Sequence, residues 1–563
     1  MDNKSISRAL RLLSQLMELH GENPFKVKSM ANAAFKIDKL PFPAASKSLE
    51  ELEKVDGIGK STAAKIRELA DTGTLKDTAD LLDATPPGVV EMLGIKGIGP
   101  KKIATIWHDL HIESIGELYY ACNENRLVEA KGFGLKTQQE IIRLIEFRMG
   151  NAGQFLYAQV EQMAASIKTE LQKLLADFAV KVVETGPLRR QAEVLSRLDY
   201  LVASHDPVQL ADKIVLHNVA LVEKTRTQWI GETESGVPVH IEISGAEDCH
   251  VRWFETTGSE SHVEKILAMG VVMRDAKSED EIYQRAGLSF IQPELREDEG
   301  EIEYAKNNPE KKLIEYGDLR GTLHNHSTWS DGVNTLEEMA LYCRDDMKLD
   351  YLGICDHSKT AVYAKGLSIE RVLQQHDEID ALNAKLDGFR IFKGIESDVL
   401  GDGSLDYPEE VLEKFDFVVA SVHSNLKMDE QKATGRVIKA IENPYTTILG
   451  HPTGRLLLSR AGYPLDFRKV IDACAANGVV IEINANPLRL DLDWRWHRYA
   501  LEKGVMLSIN PDAHRLEGFH DMRYGTIAAR KGGVQAKDCL NTFSLEEISA
   551  WFAKKRAARS AEN

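Results

Sequence analysis

The chain has little of what would tie it to a membrane, an oxidising compartment or a nucleic-acid coat. Its six cysteines, Cys122, Cys249, Cys343, Cys355, Cys474 and Cys539, are scattered over 563 residues and form no CxxC pair. They read as reduced, buried thiols of a cytoplasmic protein. No apolar run approaches the roughly 20 residues of a membrane span, and the polar, amphipathic start MDNKSISRALRLLSQL lacks a signal pattern. Positive charge is also short: the formal net charge is −17. Binding nucleic acid by bulk electrostatics is thereby disfavoured, and any DNA contact must be focused through particular loops. What remains, 43% hydrophobic and 28% charged residues, is the composition of a globular protein of three or four domains.

Three segments of the first 150 residues repeat one design. LEKVDGIGKSTAAKIREL carries Gly57, Gly59 and Lys60; LGIKGIGPKKIATIW carries Gly97, Gly99 and Lys101; VEAKGFGLKTQQEII carries Gly132, Gly134 and Lys136. In each a helical pattern ends at a glycine pair and another begins at once. The glycines permit a tight turn, and the free N–H groups opening the next helix can hold a phosphate oxygen beside the lysine. These segments resemble helix–hairpin–helix motifs, which grip a duplex backbone without reading sequence.

After the turn Asn151–Phe155 come a long amphipathic helix and the strand pattern FAVKVVETG, then GPLRRQAEVLSRLDYLVAS. A turn with Arg189 and Arg190 precedes an apolar strand bearing Asp199, which suits a triphosphate and a metal ion. Nucleotidyl transfer needs clustered carboxylates, yet two residues before Asp199, on the same strand face, stands Arg197. The layout resembles the palm of family X DNA polymerases. Gly186, Arg189, Arg190, Glu193 and Asp199 keep that pattern, while Pro187 replaces its serine and Arg197 its first metal-binding aspartate. His240, in GVPVHIEIS, stands where the third acidic residue belongs. Thr257, Gly258 and Ser259 keep the nucleotide-pocket triplet, but Glu255 and Thr256 replace the aromatic pair. An arginine in the cluster repels cations and pairs with Asp199, so the expectation is a palm without Mg²⁺ and without polymerase chemistry. The resemblance also puts Lys65 where the family has a Schiff-base lysine for 5′-deoxyribose phosphate; a solvated lysine or phosphate contact is the plainer reading.

Beyond residue 318 the histidines fall in order. TLHNHSTWSDG holds His324, His326 and Asp331; YLGICDHS ends in His357, IFKGIESDV in Glu396, FVVASVHSN in His423, TILGHPTGR in His451, and MLSINPDAHR in Asp512 and His514. Each is an apolar strand whose end or following loop supplies a metal-type ligand. The strands alternate with helical patterns such as TLEEMALYCRDDM and FRKVIDACAANG, which predicts a parallel β/α barrel with its site at the C-terminal strand ends. Such a set predicts a multinuclear metal site. The order resembles the PHP (polymerase and histidinol phosphatase) domain, a phosphoesterase with a distorted (β/α)7 barrel. The resemblance implies three divalent ions: one on His324, His326, Glu396 and Asp512, one on Asp331, His357 and His514, and one on His423 and His451 with Glu396 bridging. It makes His324, His326, Glu396 and Asp512 the catalytic set. The mixed ligands favour Mn²⁺, Zn²⁺ or Fe²⁺ over Mg²⁺. Arg455, Asn486 and Arg489 are candidate contacts to a substrate phosphate, with structural roles the alternative.

The whole chain resembles the bacterial-type family X polymerases fused to a PHP domain. The fold expected is multidomain: helix–hairpin–helix domains at 1–85 (lyase-like) and 86–150 (fingers-like), a nucleotidyltransferase-like α+β palm at 151–245, a thumb and linker at 246–308, and the PHP barrel at 309–563. The activity expected is a metal-dependent 3′→5′ exonuclease of base-excision repair, with abasic-site or 3′-phosphate cleavage as extensions. The alternatives are a bifunctional polymerase–exonuclease and a DNA-end-binding scaffold. The partner expected is gapped, nicked or 3′-ended DNA, bound by a monomer away from any membrane.

Overall fold

A computed structural model describes residues 1–95, 97–128, 130, 132–150, 153–308 and 312–562. Asn151 and Ala152 of the turn, and Lys96, Glu129 and Lys131 of the second and third glycine segments, lie outside the described residues. The chain divides into two compact units, Met1–Glu146 and Phe147–Asn563.

The first unit is helical. Its first helices, Asn3–Leu19 and Pro24–Asp38, bury Ile6, Leu10, Leu13, Met30, Ala34 and Ile37 against Ile58, Ala63 and Ile66 of the first glycine segment. Gly57, Gly97 and Gly132 take φ of 80, 93 and 91°, a left-handed turn that costs glycine nothing. Gly59 and Gly99 then serve as N-caps of the helices Lys60–Thr72 and Pro100–His108, and Leu135–Gly150 follows Gly134.

Among the described residues the second unit holds fourteen strands. The short pair β1 (Phe155–Leu156) and β3 (Val194–Leu195) flanks a five-stranded sheet of order β2-β4-β7-β6-β5, with β2 Ala179–Glu184, β4 Leu198–Ser204, β5 Val219–Lys224, β6 Gln228–Thr233 and β7 Pro238–Gly245. Strand β4, between β2 and β7, is buried throughout, and its one parallel neighbour, β7, sets Asp199 opposite His240. The helices from Cys249 to Arg285 form a separate small core around Phe254, Ile266, Ile282 and Tyr283.

The last seven strands pair in chain order and in parallel: β8 Gly321–Thr322, β9 Tyr351–Ile354, β10 Arg390–Asp398, β11 Phe417–Ser421, β12 Ile448–Leu449, β13 Val480–Asn484 and β14 Leu507–Asn510. The first and last strands meet through a bridge of Asn325 with Ala513 and through Asn541, whose amide donates to Gly321 O (3.1 Å) and Ile509 O (2.8 Å). One end of this nearly closed barrel is plugged by Leu323, Tyr351, Phe392, Phe417, Val419 and, from the last helix, Phe552. Gly353 and Gly394 make room for the plug, since a Cβ there would lie 2.7 and 2.4 Å from the Phe417 ring. The other end is left for polar groups.

The segment Pro293–Asn308 is tied into the fold by its charges. Arg296 is fully buried and donates to Glu279 (2.5 Å) and Ile291 O (2.9 Å), while Glu301 is buried with its carboxylate 2.5 Å from His262 Nδ1. Charges that look solvated in sequence are here matched to partners far along the chain.

Candidate metal centre

Every barrel strand but β13 delivers a ligand at the open end. His324 and His326 lie just beyond β8, which is shorter than the sequence pattern suggests, and Asp331 lies in the following loop; His357 follows β9 and Glu396 sits within β10, two residues before its end. His423, His451, Asp512 and His514 follow β11, β12 and β14. All but His423 are buried, and that residue is nearly so. Three groups of ligand atoms lie within 4.8 Å of one another: His326, Asp331, His357 and His514; His324, His326 and Asp512; and His357, Glu396 and His423. His451 Nε2 joins at 3.0 Å from Glu396 Oε1.

Glu396 is the hub. Its Oε1 lies 3.3 Å from His324 Nε2, 3.1 Å from His423 Nε2 and 3.0 Å from His451 Nε2, and its Oε2 lies 2.9 Å from His357 Nδ1. Asp512 Oδ1 lies 2.9 Å from His326 Nε2, and Asp331 lies 3.5 Å from His357 and 3.4 Å from His514. Yet His324 Nε2, both ring nitrogens of His326, Asp331 Oδ2, His357 Nδ1 and Glu396 Oε2 make no hydrogen bond although buried. Such atoms are costly to bury unless something else satisfies them, and imidazole with carboxylate is a donor set for transition-metal ions. The residues therefore fit a metal-binding site.

The electrostatics agree. Burial alone would raise the carboxyls of Asp331, Glu396 and Asp512, but the facing histidines hold all three well below the usual range, so they stay ionised. Burial and the charges of His514 and His357 push His326 down, keeping it a neutral ligand. Burial also disfavours charge on His324, His357 and His423, but their carboxylate neighbours outweigh it and raise all three.

Two supporting carboxylates escaped the sequence reading. Glu482, in the middle of β13 and fully buried, lies 2.7 Å from His324 Nδ1 and accepts from His451 N at 3.1 Å. Asp398, at the end of β10, lies 2.5 Å from His423 Nδ1. Each orients a ring so that its other nitrogen faces the centre. The signal was available, since a glutamate inside the apolar run VVIEIN must have a buried partner.

The three candidate phosphate contacts have partners of their own. Arg455 spends its guanidinium on Arg489 O (2.9 Å), on Leu490 O and on Asp493, which makes it a strut for the 486–493 loop. Arg489 is buried at 5% exposure, and Asn486 caps its own turn by accepting from Leu488 N at 3.0 Å.

In the five-stranded sheet a cavity of about 430 Å³ is lined by Gly186, Arg190, Arg197, Asp199, His240, Glu242, Gly258 and Ser259. Arg197 Nε donates to Asp199 Oδ1 at 2.7 Å. Burial raises the Asp199 carboxyl despite that pairing, and burial together with Arg197 lowers His240. A second carboxylate absent from the sequence reading, Glu242, shares the cavity but is held by Arg252 Nε at 2.7 Å. The arginines expected to face a triphosphate are engaged: Arg189 is bidentate on Glu279 (2.9 and 2.5 Å), and Arg190 lies 3.1 Å from Glu297. Thr257 is fully buried beneath Arg189, at 2.7 Å, and so is packing rather than pocket.

In the helical unit, Lys60, Lys101 and Lys136 are exposed. A Cβ at Gly59, Gly97, Gly99, Gly132 or Gly134 would meet no atom within 4 Å, so close packing does not account for these glycines and the turns present bare backbone to solvent. Lys65 is ion-paired with the exposed Asp77. Among the described residues no helix is long and apolar enough to cross a membrane.

A nearly closed parallel barrel with a buried histidine–carboxylate centre, a nucleotidyltransferase-like sheet and glycine-turn helical domains together define a multidomain enzyme of DNA metabolism. Comparison with known proteins makes this specific. Residues 1–75 match the helix-hairpin-helix domain model, and residues 89–145 the SAM-like helix-hairpin-helix tandem. The DNA polymerase/3'-5' exonuclease PolX of Bacillus subtilis (strain 168) is 35% identical over 98% of this chain and 100% of its own length. Proteins named probable phosphatase from Thermoanaerobacter sp. (strain X514) and Acetivibrio thermocellus are 34% and 32% identical over 32% and 34% of this chain, and 74% and 78% of their own. The chain belongs to the bacterial-type family X DNA polymerases with a C-terminal PHP domain, and its palm motif is degenerate.

Proposed function

We propose that the barrel is a metal-dependent DNA phosphoesterase, a 3′→5′ exonuclease of repair, carried on a palm that no longer polymerises. The observation that carries this reading is the convergence of buried, hydrogen-bond-free ligand atoms around Glu396. His324, His326, Glu396 and Asp512 with Asp331, His357, His514, His423 and His451 would hold divalent ions, three of them, of Mn²⁺, Zn²⁺ or Fe²⁺ type. Such ions supply an activated water and neutralise phosphate charge. The chain's own part is to keep three carboxylates ionised, to fix His324 and His423 through Glu482 and Asp398, and to hold the rings rigid within strand ends. The hairpins at 1–85 and 86–150 would hold gapped, nicked or 3′-ended DNA by its backbone, and the palm (151–245) and thumb (246–308) would mount the barrel (309–563). Cleavage at abasic sites or of 3′ phosphates would use the same centre.

A second reading, a working polymerase, draws on the Asp199 and Glu242 carboxylates in one cavity and on the name of the Bacillus relative. A 5′-labelled primer–template with Mn²⁺ or Mg²⁺, with and without dNTPs, separates the two. Shortening that is lost in His324→Ala/His326→Ala, with no extension, is expected. Extension that persists in that variant would refute the silent palm.

A further inference from the structure

We propose that the loop Ser358–Leu367 is a seat for the terminal nucleoside of the strand being cut, with Tyr363 as its stacking surface and Val362 as its apolar edge. The proposal rests on the nuclease reading above.

The loop begins at the residue after the ligand His357 and returns to it. Leu367 N donates to His357 O at 2.8 Å, and Ser358 pairs with Leu367 in a bridge. Within it, Ala361 N donates to Ser358 O and Gly366 N to Ala361 O, both at 3.0 Å. The turn is so tight that a Cβ on Gly366 would fall 1.9 Å from Ser358 O. Thr360 fastens it from the side: its N–H donates to Asp406 (2.7 Å) and its hydroxyl lies 2.8 Å from Asp398, the carboxylate that orients His423. The loop is thus held by the same groups that hold two ligands.

What it presents is not what a phosphate needs. Val362 at the tip is 80% exposed, and Tyr363 beside it is half-buried with its ring 6.1 Å from that of His357. One exposed valine alone would mean nothing. Here it adjoins an aromatic ring that touches the ligand shell, with exposed Lys359 and Lys365 at the two sides of the turn. An apolar, aromatic ledge flanked by cations matches a base and its neighbouring backbone phosphates. A phosphoester held at the His357–Glu396–His423 group would leave its nucleoside within reach of that ledge, whereas a small ester would make no use of it.

The test compares two oligonucleotides, one ending in a normal 3′ nucleotide and one in an abasic 3′ residue, with bis-p-nitrophenyl phosphate as a small ester. The wild type is expected to prefer the base-bearing end by about 5- to 150-fold in kcat/KM, the range of one stacking contact. Tyr363→Ala is expected to collapse that preference to near one, and Tyr363→Phe to keep it. A binding readout goes with it: a 3′-terminal 2-aminopurine next to a methylene-phosphonate linkage, with Mn²⁺, should be quenched by wild type and Tyr363→Phe but not by Tyr363→Ala. Equal preference and quenching in wild type and Tyr363→Ala would overturn the seat. Turnover of the small ester with none of either oligonucleotide would overturn the nuclease reading, and the seat with it.

Discussion

Glu482→Gln is nearly isosteric, yet the structure makes it a severe change. The wild-type carboxylate faces four donors: Oε2 lies 2.7 Å from His324 Nδ1 and 3.0 Å from Asn510 Nδ2, and Oε1 lies 3.1 Å from His451 N and 3.2 Å from Asn484 Nδ2. An ionised carboxylate only accepts, so all four are satisfied; an amide must turn its NH₂ toward one pair. Facing His451 it meets a backbone N–H that cannot rotate away. Facing His324 it forces the proton from Nδ1 to Nε2, the nitrogen aimed at Glu396 and Asp512. Flipping Asn510 instead would break its acceptance from Asn541 Nδ2 (3.1 Å) and Leu323 N (3.3 Å). One mispaired buried donor costs about 1–3 kcal/mol, and lost support of a metal-ligating histidine typically costs about 10–100-fold in metal affinity or activity. Chelator-competition titration with Zn²⁺ or Mn²⁺ should therefore show binding weaker by about 10–100-fold. Thermal unfolding of the metal-free protein should show a loss of about 1–3 kcal/mol. Unchanged affinity and unchanged stability would refute the claim that Glu482 fixes the His324 tautomer.

In a His324→Ala/His326→Ala background, Arg197→Asp with His240→Asp should create a Mn²⁺ site in the palm, seen by electron paramagnetic resonance; no gain would mean that the arginine is not what excludes the ion. Arg455→Ala should lower stability by about 2–4 kcal/mol, since three buried partners lose their donor, and should depress turnover of oligonucleotide and small ester alike; a rise in KM alone would restore its role as a phosphate clamp. His376 and His497 are each held down to about 4, chiefly by burial, so both stay neutral in the fold but protonate on unfolding below about 6.5. Their contribution, about 3 kcal/mol each at most, is complete above pH 6.5 and is lost as pH falls toward 4. Urea titrations from pH 7 to 4.5 should show a shallower loss for His376→Leu than for wild type, and parallel curves would contradict this. Glu297→Ala should cost about 3–5 kcal/mol by unpairing buried Lys531, and Lys531→Met should recover much of it; equal stability of the two single variants would show that the pair is not coupled.

The metal centre was legible because strand-end ligands combine two local signals, an apolar run and a polar residue just past it. That logic found His324, His357 and Asp512, and it passed over Glu482 because β13 ends without a histidine and its glutamate sits mid-strand. Closure of the barrel was illegible for a different reason. The gap between β8 and β14 is filled by an asparagine more than thirty residues past β14, and nothing in LNTFS marks Asn541 as a splice between strands. The run ELREDEGE gave no sign of its burial, because the partners of Arg296 and Glu301, Glu279 and His262, stand well before them in sequence. Arg455 shows the same limit: its carbonyl partners, Arg489 O and Leu490 O, stand on another loop that its own neighbours in sequence do not announce.

The palm's fate follows from where its charges went. A nucleotide site needs arginines with spare donors and carboxylates with spare lone pairs. Here Arg189 is committed to Glu279, which also takes Arg296, and Arg190 to Glu297, which also takes Lys531 of the barrel at 2.7 Å. Lys531 is 2% exposed, and its ammonium donates further to Arg190 O at 3.1 Å. The carboxylate that pairs with Arg190 therefore also satisfies a buried lysine of the barrel. Of the groups that receive Lys531, Arg190 O belongs to the palm and Glu297 to the thumb and linker, so one side chain of the barrel ties both to it. Glu161, from the palm's long helix, adds a second bond by pairing with Arg523 and Tyr524. The sheet is thereby tied into the frame that carries the barrel.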